Sequence, residues 1–233
     1  MKLTELSQRA YVPYSGKPEA CVIESVEGEF FGGVRIENVS FPLTIGAVQG
    51  AICHCLLAGQ VPKTVFIEHD QYVPPFFREE FELEIQEADT EHSFSLYSYL
   101  KTENVDIEQC LKEALPLAVV PNSEFRVSSY LESPEGYLVG ANVEFSDWAH
   151  GLCAERLAIS MAVTEGITTF DRMELHTEKG NFSSPCGACR QVIYEFMPLH
   201  PIQFHHADGT KSMHQTVDLL PYSFRSNELR KQI

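Results

Sequence analysis

The sequence predicts an α/β fold of two tandem domains, each a mixed β-sheet flanked by helices. Two observations lead to this prediction. Two stretches of the chain follow the same order of landmarks, and each combines a predicted β-hairpin with alternating helices and strands. The chain has 233 residues, 44% of them hydrophobic. This composition is enough for one large domain or for two domains of roughly 100 residues each.

The internal repeat begins near Tyr11 and again at Val120. In each stretch a Pro-x-Ser triplet precedes an apolar strand, a glycine, a Glu-containing loop and a helix of small residues. Glu37 matches Glu144, and the next landmark follows nine residues later in both copies. The shared order and spacing indicate that the two halves have the same topology.

An acidic segment from about residue 88 to 109 separates the two copies and predicts a solvated connector. We place the boundary near residue 105. The predicted domains are therefore 1–105 and 106–233.

The second domain carries the clearest helix and strand signals. The segment 153–166 predicts a helix with Gly166 as its C-terminal cap, and RMELHTE after it predicts a strand. Ser184 occupies a favourable N-cap position, Pro185 fits the first helical position, and the helix that follows should stop at Pro198.

The charge and the cysteines limit the possible functions. The formal net charge is −16, from 33 acidic and 17 basic residues, which predicts a small neutral ligand rather than a nucleic acid. No apolar run approaches the roughly 18 residues of a membrane span, and the first residues lack the apolar core of a signal peptide. We therefore expect a cytoplasmic protein without a membrane partner, in which the seven cysteines are free thiols and metal ligands.

Three of these cysteines predict a metal site. Cys186 and Cys189 lie three residues apart in PCGAC, so on a helix their sulfurs share one face. The helix N-terminus favours the thiolate form of both. Cys153, at the start of the other helix, supplies a third ligand and leaves zinc one open position for water, as in catalytic sites. Glu155 can then reach that water without binding the metal.

Two other interpretations of these cysteines stay open. The three thiols could simply pack as small apolar groups, although their spacing argues against it. A purely structural zinc would need a fourth protein ligand, for which His150 is the nearest candidate. Cys53 and Cys55 lie outside the motif positions and are expected in the core.

The motifs CAE at 153–155 and PCGAC at 185–189 resemble the signature of the cytidine deaminase family. The resemblance covers nearly the whole second half and, more weakly, the first. It implies one Zn²⁺ per chain, in the C-terminal domain, held by Cys153, Cys186 and Cys189. It also implies attack of a zinc-activated water on C4 of cytosine, with Glu155 as the proton shuttle. The products would be uridine and deoxyuridine, formed in pyrimidine salvage.

The resemblance also implies roles around the metal. Asn142 and Glu144 would hydrogen-bond the sugar hydroxyl, Phe125 would pack on the base, and Phe224 would close a neighbouring site. Arg156 would donate hydrogen bonds to the cysteine sulfurs and offset their charge. Each role has an alternative. Asn142 and Glu144 could be a loop amide and a solvated carboxylate, the two phenylalanines could be core residues, and Arg156 could be an arginine on an exposed helix face.

The first copy lacks these groups. Gly46 stands at the ligand position, Val48 at the proton-shuttle position and Arg35 at the sugar-binding position. We therefore interpret domain 1–105 as a degenerate, non-catalytic deaminase-like domain. The resemblance further implies a homodimer in which four domains imitate a fourfold assembly.

Two rival functions remain. The chain could be a zinc deaminase of another amine-bearing nucleoside or heterocycle, in which only the pocket differs. It could also be a catalytically silent, zinc-stabilised binding protein, although the presence of Glu155 argues against this.

Overall fold

The structure is a computed structural model that describes residues 1–68, 71–88, 92–224 and 229. Within these residues the helices are α1 (Leu3–Ser7), α2 (Ala47–Leu57), α3 (Pro75–Glu80), α4 (Ile107–Ala114), α5 (Ala154–Glu165) and α6 (Gly187–Phe196). The strands are β1 (Ala20–Ser25), β2 (Phe30–Val34), β3 (Pro62–Ile67), β4 (Glu84–Glu87), β5 (Val127–Ser133), β6 (Gly136–Ala141), β7 (Arg172–Thr177), β8 (Pro201–His205) and β9 (Lys211–Gln215). No helix among them is long and apolar enough to cross a bilayer.

The strands form two mixed sheets with the same internal order. The first sheet runs β2-β1-β3-β4, and the second runs β6-β5-β7-β8-β9. In each, the first two pairings are antiparallel and the third is parallel. Strand β9 adds a further antiparallel edge to the second sheet. The prediction of an α/β fold with two tandem mixed sheets flanked by helices is confirmed, while the boundary at residue 105 stays a prediction.

Short β-bridges repeat the same pattern outside the sheets. Tyr11 pairs with Ile36 in parallel, and at the equivalent place Val119 pairs with Val143. Ile36 and Val143 each then form an antiparallel bridge to the segment just before α2 or α5. The landmarks found in the sequence therefore correspond to equivalent backbone positions.

A glycine in each hairpin lets the following helix lie directly on the sheet. A Cβ atom added to Gly33 would lie 2.3 Å from the carbonyl oxygen of Ala47, and one added to Gly140 would lie 2.3 Å from that of Ala154. Only glycine permits such an approach. In the second copy this contact fixes the first turn of α5, which carries the CAE motif.

The segment predicted to be a solvated connector is only partly so. Residues 89–91 lie outside the described residues, and most of the described part is exposed. Phe94, however, is 4% exposed and packs against Phe30 and Phe66 with ring centroids 5.5 and 5.1 Å away. The acidic composition of the segment did not indicate this aromatic contact, which packs the segment against the first sheet.

Helices α2 and α5 pack against each other between the two copies, within one continuous hydrophobic cluster. His54, 2% exposed, spans this interface: its Nδ1 lies 2.8 Å from the Gly32 carbonyl oxygen and its Nε2 lies 3.1 Å from Ser160 Oγ. Cys53 and Cys55 are fully buried, as predicted. The two copies thus fold around a shared core.

The contacts between the copies are reciprocal. Gln49 Nε2 donates to the His150 carbonyl at 2.8 Å, and Arg156, at the equivalent position of the other copy, donates from a terminal guanidinium nitrogen to the Leu43 carbonyl at 3.1 Å. Leu43 and His150 are themselves equivalent in the repeat. The copies therefore meet as two subunits do across a twofold axis.

Candidate metal centre

Three sulfurs meet where helices α5 and α6 begin. The ligand atoms of Cys153, Cys186 and Cys189 all lie within 4.8 Å of one another, and Cys153 Sγ is 3.8 Å from Cys186 Sγ. Among the described residues this is the one group of three or more histidines, cysteines and carboxylates that could hold a metal ion. The first copy contributes no residue to it.

The local fold of both helices aims these sulfurs. Cys153 and Cys186 are the N-cap residues of α5 and α6, each with extended backbone, so their side chains point across the helix starts. Cys186 Sγ accepts a hydrogen bond from the Cys189 backbone N–H at 3.5 Å. The metal-binding motif and the capping motif of α6 are therefore the same residues.

This geometry corrects one sequence prediction. The N-cap of α6 was expected at Ser184, with Pro185 as the first helical residue, but the helix begins at Gly187 after Cys186. The reason is that the Cys186 sulfur accepts the hydrogen bond from the free backbone N–H of Cys189, the role that a serine oxygen usually has at an N-cap. The predicted helix 153–166 is confirmed, since α5 ends with Gly166 in the left-handed conformation.

Hydrogen bonds among the three cysteines favour a thiolate at one of them. Donation from Cys153 and Cys189 lowers the pKa of the Cys186 thiol well below its usual range. The same hydrogen bonds raise the pKa of Cys153 and of Cys189, because they hold the protons on those two sulfurs. The cluster is thus arranged around a thiolate that a cation would stabilise further.

The donor set fits zinc. Two thiolates bound tetrahedrally with Zn–S bonds of about 2.3 Å lie about 3.8 Å apart, which matches the distance between Cys153 and Cys186. Within the described residues the group contains no fourth protein donor. His150, the candidate for that role, instead stacks on Phe76 with ring centroids 4.4 Å apart. Three protein ligands and an open position are typical of a catalytic zinc site.

A buried carboxyl group lies beside the sulfurs. Glu155 is 2% exposed, and its burial raises its pKa to about 7. Its carboxyl group interacts with Cys189 by a hydrogen bond and with the charge of Cys186. An acid of this kind, next to a metal site and facing a cavity, has the position expected of a group that transfers protons.

Arg156, the residue after Glu155 on α5, also lines the cavity beside the cysteines. It is 9% exposed and donates to the Leu43 carbonyl of the first copy, while its Nε is buried without a partner among the described residues. Its donation to the cysteine sulfurs stays a prediction. The unpaired buried N–H is consistent with an arginine that needs an anionic neighbour.

The metal cluster opens into a cavity of about 480 Å³. Its described lining belongs wholly to the second copy, and the predicted site residues among it are Phe125, Asn142, Glu144, Cys153, Glu155, Arg156 and Cys186. Phe224 is not part of this lining and is 50% exposed. Its predicted role at a neighbouring site stays a prediction.

The polar atoms of Asn142 and Glu144 hold the backbone at the cavity mouth. Asn142 accepts from the Val127 N–H and donates to the Phe125 carbonyl, both at 2.9 Å. Glu144 accepts from backbone N–H groups of residues 122 and 123 at 3.0 and 3.1 Å, and from the Ser123 hydroxyl. Their role in sugar binding stays a prediction, and any sugar would share these groups with the protein.

The first copy shows that part of this network is structural. Glu37 accepts from the backbone N–H groups of Tyr14 and Ser15 at 3.1 and 3.0 Å, as Glu144 does at the equivalent positions. Arg35 stands where the second copy has Asn142 and forms an ion pair with Glu37 at 3.1 Å. A carboxylate that fixes this turn is therefore common to both copies, whereas the amide is specific to the second.

Sequence reasoning missed two large residues of the cavity wall. Trp148 and Phe182 line the cavity and are 66% and 57% exposed. Trp148 lies in a short 3-10 helix, Trp148–His150, just before α5. The position of a tryptophan close before Cys153 was the available signal, but aromatic type alone does not distinguish a pocket wall from a core residue.

Comparison with known proteins supports the same chemistry. A family model described as "Cytidine and deoxycytidylate deaminase zinc-binding region" matches residues 103–203, and a second one with the same description matches residues 2–71. The cytidine deaminase of Sporosarcina psychrophila is 34% identical over 130 residues, which cover 54% of this chain and 96% of the relative. The probable cytidine deaminase of Dictyostelium discoideum is 33% identical over 129 residues, which cover 53% and 87%.

A solved structure is also similar. The crystal structure of cytidine deaminase from Burkholderia pseudomallei matches with 32% identity and a TM-score of 0.48, and it covers 50% of this chain and 94% of that one.

Proposed function

Because the chain belongs to the cytidine deaminase family, we propose that it hydrolyses cytidine and deoxycytidine to uridine and deoxyuridine with release of ammonia. One observation supports this most strongly: three sulfurs converge next to a cavity that two of the cysteines and a buried carboxyl group line. A purely structural zinc site would not need that carboxyl group or the open cavity.

Each residue of the site has its own role in the proposed reaction. Cys153, Cys186 and Cys189 would hold a zinc ion, and the chemistry that such an ion would supply here is Lewis acidity towards a water molecule. Glu155 accepts a proton from that water on a carboxylate oxygen and delivers it to the ring nitrogen next to the amine-bearing carbon. The remaining hydroxyl group bonds to that carbon, and Glu155 then takes the hydroxyl proton and passes it to the amine, so that the C–N bond breaks, the carbonyl of uracil forms and ammonia leaves. Arg156 offsets part of the thiolate charge.

The cavity supports a nucleoside as the substrate. Its volume of about 480 Å³ is in the range of small-ligand sites, and aromatic rings at its wall offer surfaces for a flat base. Phe125, Trp148 and Phe182 are exposed rings in the same lining as the sugar-binding candidates Asn142 and Glu144. The carboxylate of Glu144 would repel a phosphate on the sugar, which favours nucleosides over nucleotides.

The two domains have different roles in this proposal. Residues 106–233 form the catalytic domain, and residues 1–105 form a non-catalytic domain. In the described part of 1–105 no group of residues could hold a metal, and Gly46 and Val48 stand where the second copy has a ligand and the proton shuttle. The reciprocal contacts within the chain imitate one twofold interface, and pairing of two chains in a homodimer would complete a pseudo-fourfold domain arrangement. The activity would serve pyrimidine salvage.

Loss of cytosine absorbance tests the function directly. The purified zinc-loaded protein should turn over cytidine and deoxycytidine, and should leave free cytosine and deoxycytidine monophosphate largely unreacted. Glu155→Gln should abolish turnover while the zinc content stays near one per chain, because it removes the proton carrier and no ligand. Glu165→Gln, the same change at the far end of α5, should retain activity.

The control separates the outcomes. If the wild type turns over none of the four compounds, the proposed substrate is wrong. If Glu155→Gln keeps activity within about tenfold, the assignment of the proton shuttle is wrong, since general acid–base groups contribute at least a hundredfold.

A further inference from the structure

We propose that helix α3 of the non-catalytic copy is a positioning clamp for the loop 145–151 of the catalytic copy, and that this clamp sets substrate affinity. The proposal rests on the deaminase function above. It assigns a task in the reaction to residues of the first copy that touch neither the metal cluster nor the cavity.

The clamped loop forms one side of the candidate cavity. Trp148, Ala149 and Gly151 belong to its lining, and two residues later the chain reaches the metal ligand Cys153. Contacts within the second copy hold parts of this loop: Asp147 accepts from the Ala149 N–H at 3.0 Å and from the His150 N–H at 3.2 Å, and Asn122 donates to the Phe145 carbonyl at 2.9 Å. The first copy adds contacts at residues 145, 146 and 150.

A carboxylate of the first copy holds the start of the loop. Glu80, the last residue of α3, accepts from the backbone N–H of Ser146 at 3.2 Å and from its hydroxyl at 2.6 Å. Hydrogen bonds to a carboxylate are stronger than those between neutral groups. Two of them on one residue fix both the backbone and the side chain of Ser146.

Aromatic side chains of the first copy hold the two ends of the loop. The His150 ring stacks on Phe76 at 4.4 Å and lies 5.1 Å from Phe77. The Phe145 ring meets Phe76, Phe77 and Phe81 edge-on at 6.0, 5.4 and 6.0 Å. Aromatic pairs in such geometries add to the energy of simple burial.

A third contact comes from helix α2. Gln49 donates to the His150 carbonyl at 2.8 Å, so the first copy binds His150 by its ring and by its backbone. Together α2 and α3 contact the loop at residues 145, 146 and 150, on both sides of Trp148. The ring of Trp148 should consequently keep a fixed position at the cavity mouth.

The second copy makes the equivalent contact to the first copy, and the two contacts differ in what the restrained loop does. Glu195 of α6 accepts from the Val39 N–H at 2.7 Å, and Val39 is the repeat equivalent of Ser146. The equivalent loop that Glu195 holds contacts Arg156 through the Leu43 carbonyl but contributes no residue to the described cavity lining. Of the two loops, the one that Glu80 holds is the one that lines the catalytic cavity.

The test uses the only tryptophan in the sequence, Trp148, as a reporter. Glu80→Ala should raise KM for cytidine about 3- to 10-fold, as expected for loss of one or two hydrogen bonds, with kcat within about twofold. Zinc content should not change. Quenching of tryptophan fluorescence by acrylamide should increase, since a released loop exposes the indole.

Three further variants make the test specific. Glu79→Ala, the same change one residue earlier on an exposed side chain, should match the wild type in KM and in quenching. Ser146→Ala should reproduce part of the Glu80→Ala effect, and the double variant should show less than the sum of the two because both act through one contact. Phe76→Leu, which keeps apolar volume but removes the ring, should raise KM in the same direction.

The results that would overturn the clamp differ from those that would overturn the proposed function. Unchanged quenching and unchanged KM in Glu80→Ala would overturn the clamp. Strict additivity with Ser146→Ala would also overturn it. A wild type without activity on cytidine would refute the substrate assignment instead, and the quenching comparison would still show whether Glu80 orders the loop.

Discussion

Acidification should destabilise this protein through His54, which spans the interface between the two copies. Burial lowers the pKa of His54 from 6.5 to about 4, although its hydrogen bond to the Gly32 carbonyl acts in the opposite direction. That carbonyl can only accept, so Nδ1 carries the proton of the neutral ring and Ser160 donates to Nε2. The folded protein therefore stabilises the neutral form of the His54 ring relative to the protonated form.

The size of the effect follows from the two pKa values. Above pH 6.5 neither state is protonated at His54, so the residue causes no loss of stability. As the pH falls from 6.5 towards 4, His54 becomes protonated in the unfolded chain but stays neutral in the folded protein. This difference lowers the free energy of unfolding by about 1.4 kcal/mol per pH unit. Between pH 7 and pH 5 the loss from this residue amounts to about 2 kcal/mol.

Urea unfolding at pH 7 and at pH 5 measures this loss. The wild type is compared with His54→Asn in reduced, metal-stripped protein, so that titration of the cysteines is common to both. The amide nitrogen of asparagine can take the place of Nδ1 and donate to Gly32. The variant should start less stable at pH 7 because of the lost ring volume, but it should lose about 2 kcal/mol less on acidification. Equal losses in both proteins would refute the reasoning.

Three other perturbations have expected results. Removal of zinc by a chelator at pH 7 should lower the melting temperature measured by calorimetry, because the cluster of three thiols then keeps an uncompensated charge; an unchanged value would argue against a bound metal. Gly140→Ala should lower the free energy of unfolding in urea by about 1–3 kcal/mol, since its Cβ would lie 2.3 Å from the Ala154 carbonyl oxygen. It should also lower the zinc content, whereas Gly33→Ala should lower only the free energy of unfolding. Asp106→Ala removes the hydrogen bond to the Gln109 N–H at the start of α4 and should lower the free energy of unfolding by about 1 kcal/mol, with activity unchanged.

Much of the fold was predictable because the chain contains its topology twice. The spacing between Glu37 and its landmark, repeated after Glu144, corresponds to equivalent turns in the structure. The convergence of Cys153 with PCGAC was predictable as well, since helix periodicity and metal chemistry both restrict where thiols can lie. These are local patterns, and a sequence displays local patterns directly.

What could not be predicted depends on contacts between distant segments. The sequence indicated Ser184 as the N-cap of α6, but Cys186 holds that position, where its sulfur accepts from the Cys189 N–H and lies 3.8 Å from the sulfur of Cys153. The prediction of sugar binding by Glu144 gave no sign that this carboxylate also accepts three hydrogen bonds from residues 122 and 123 of its own copy. Nothing local to Glu80 or Ser146 reveals that they meet, because 66 residues separate them.

The reciprocal contacts of Gln49 and Arg156 have an evolutionary consequence. When identical subunits meet across a twofold axis, every substitution appears on both sides at once. In a fused chain the two sides are encoded separately, so one can carry an amide that only braces a carbonyl while the other carries a guanidinium beside a metal. Fusion thus frees each half to change without altering its counterpart, and it guarantees that they are always made in equal amounts.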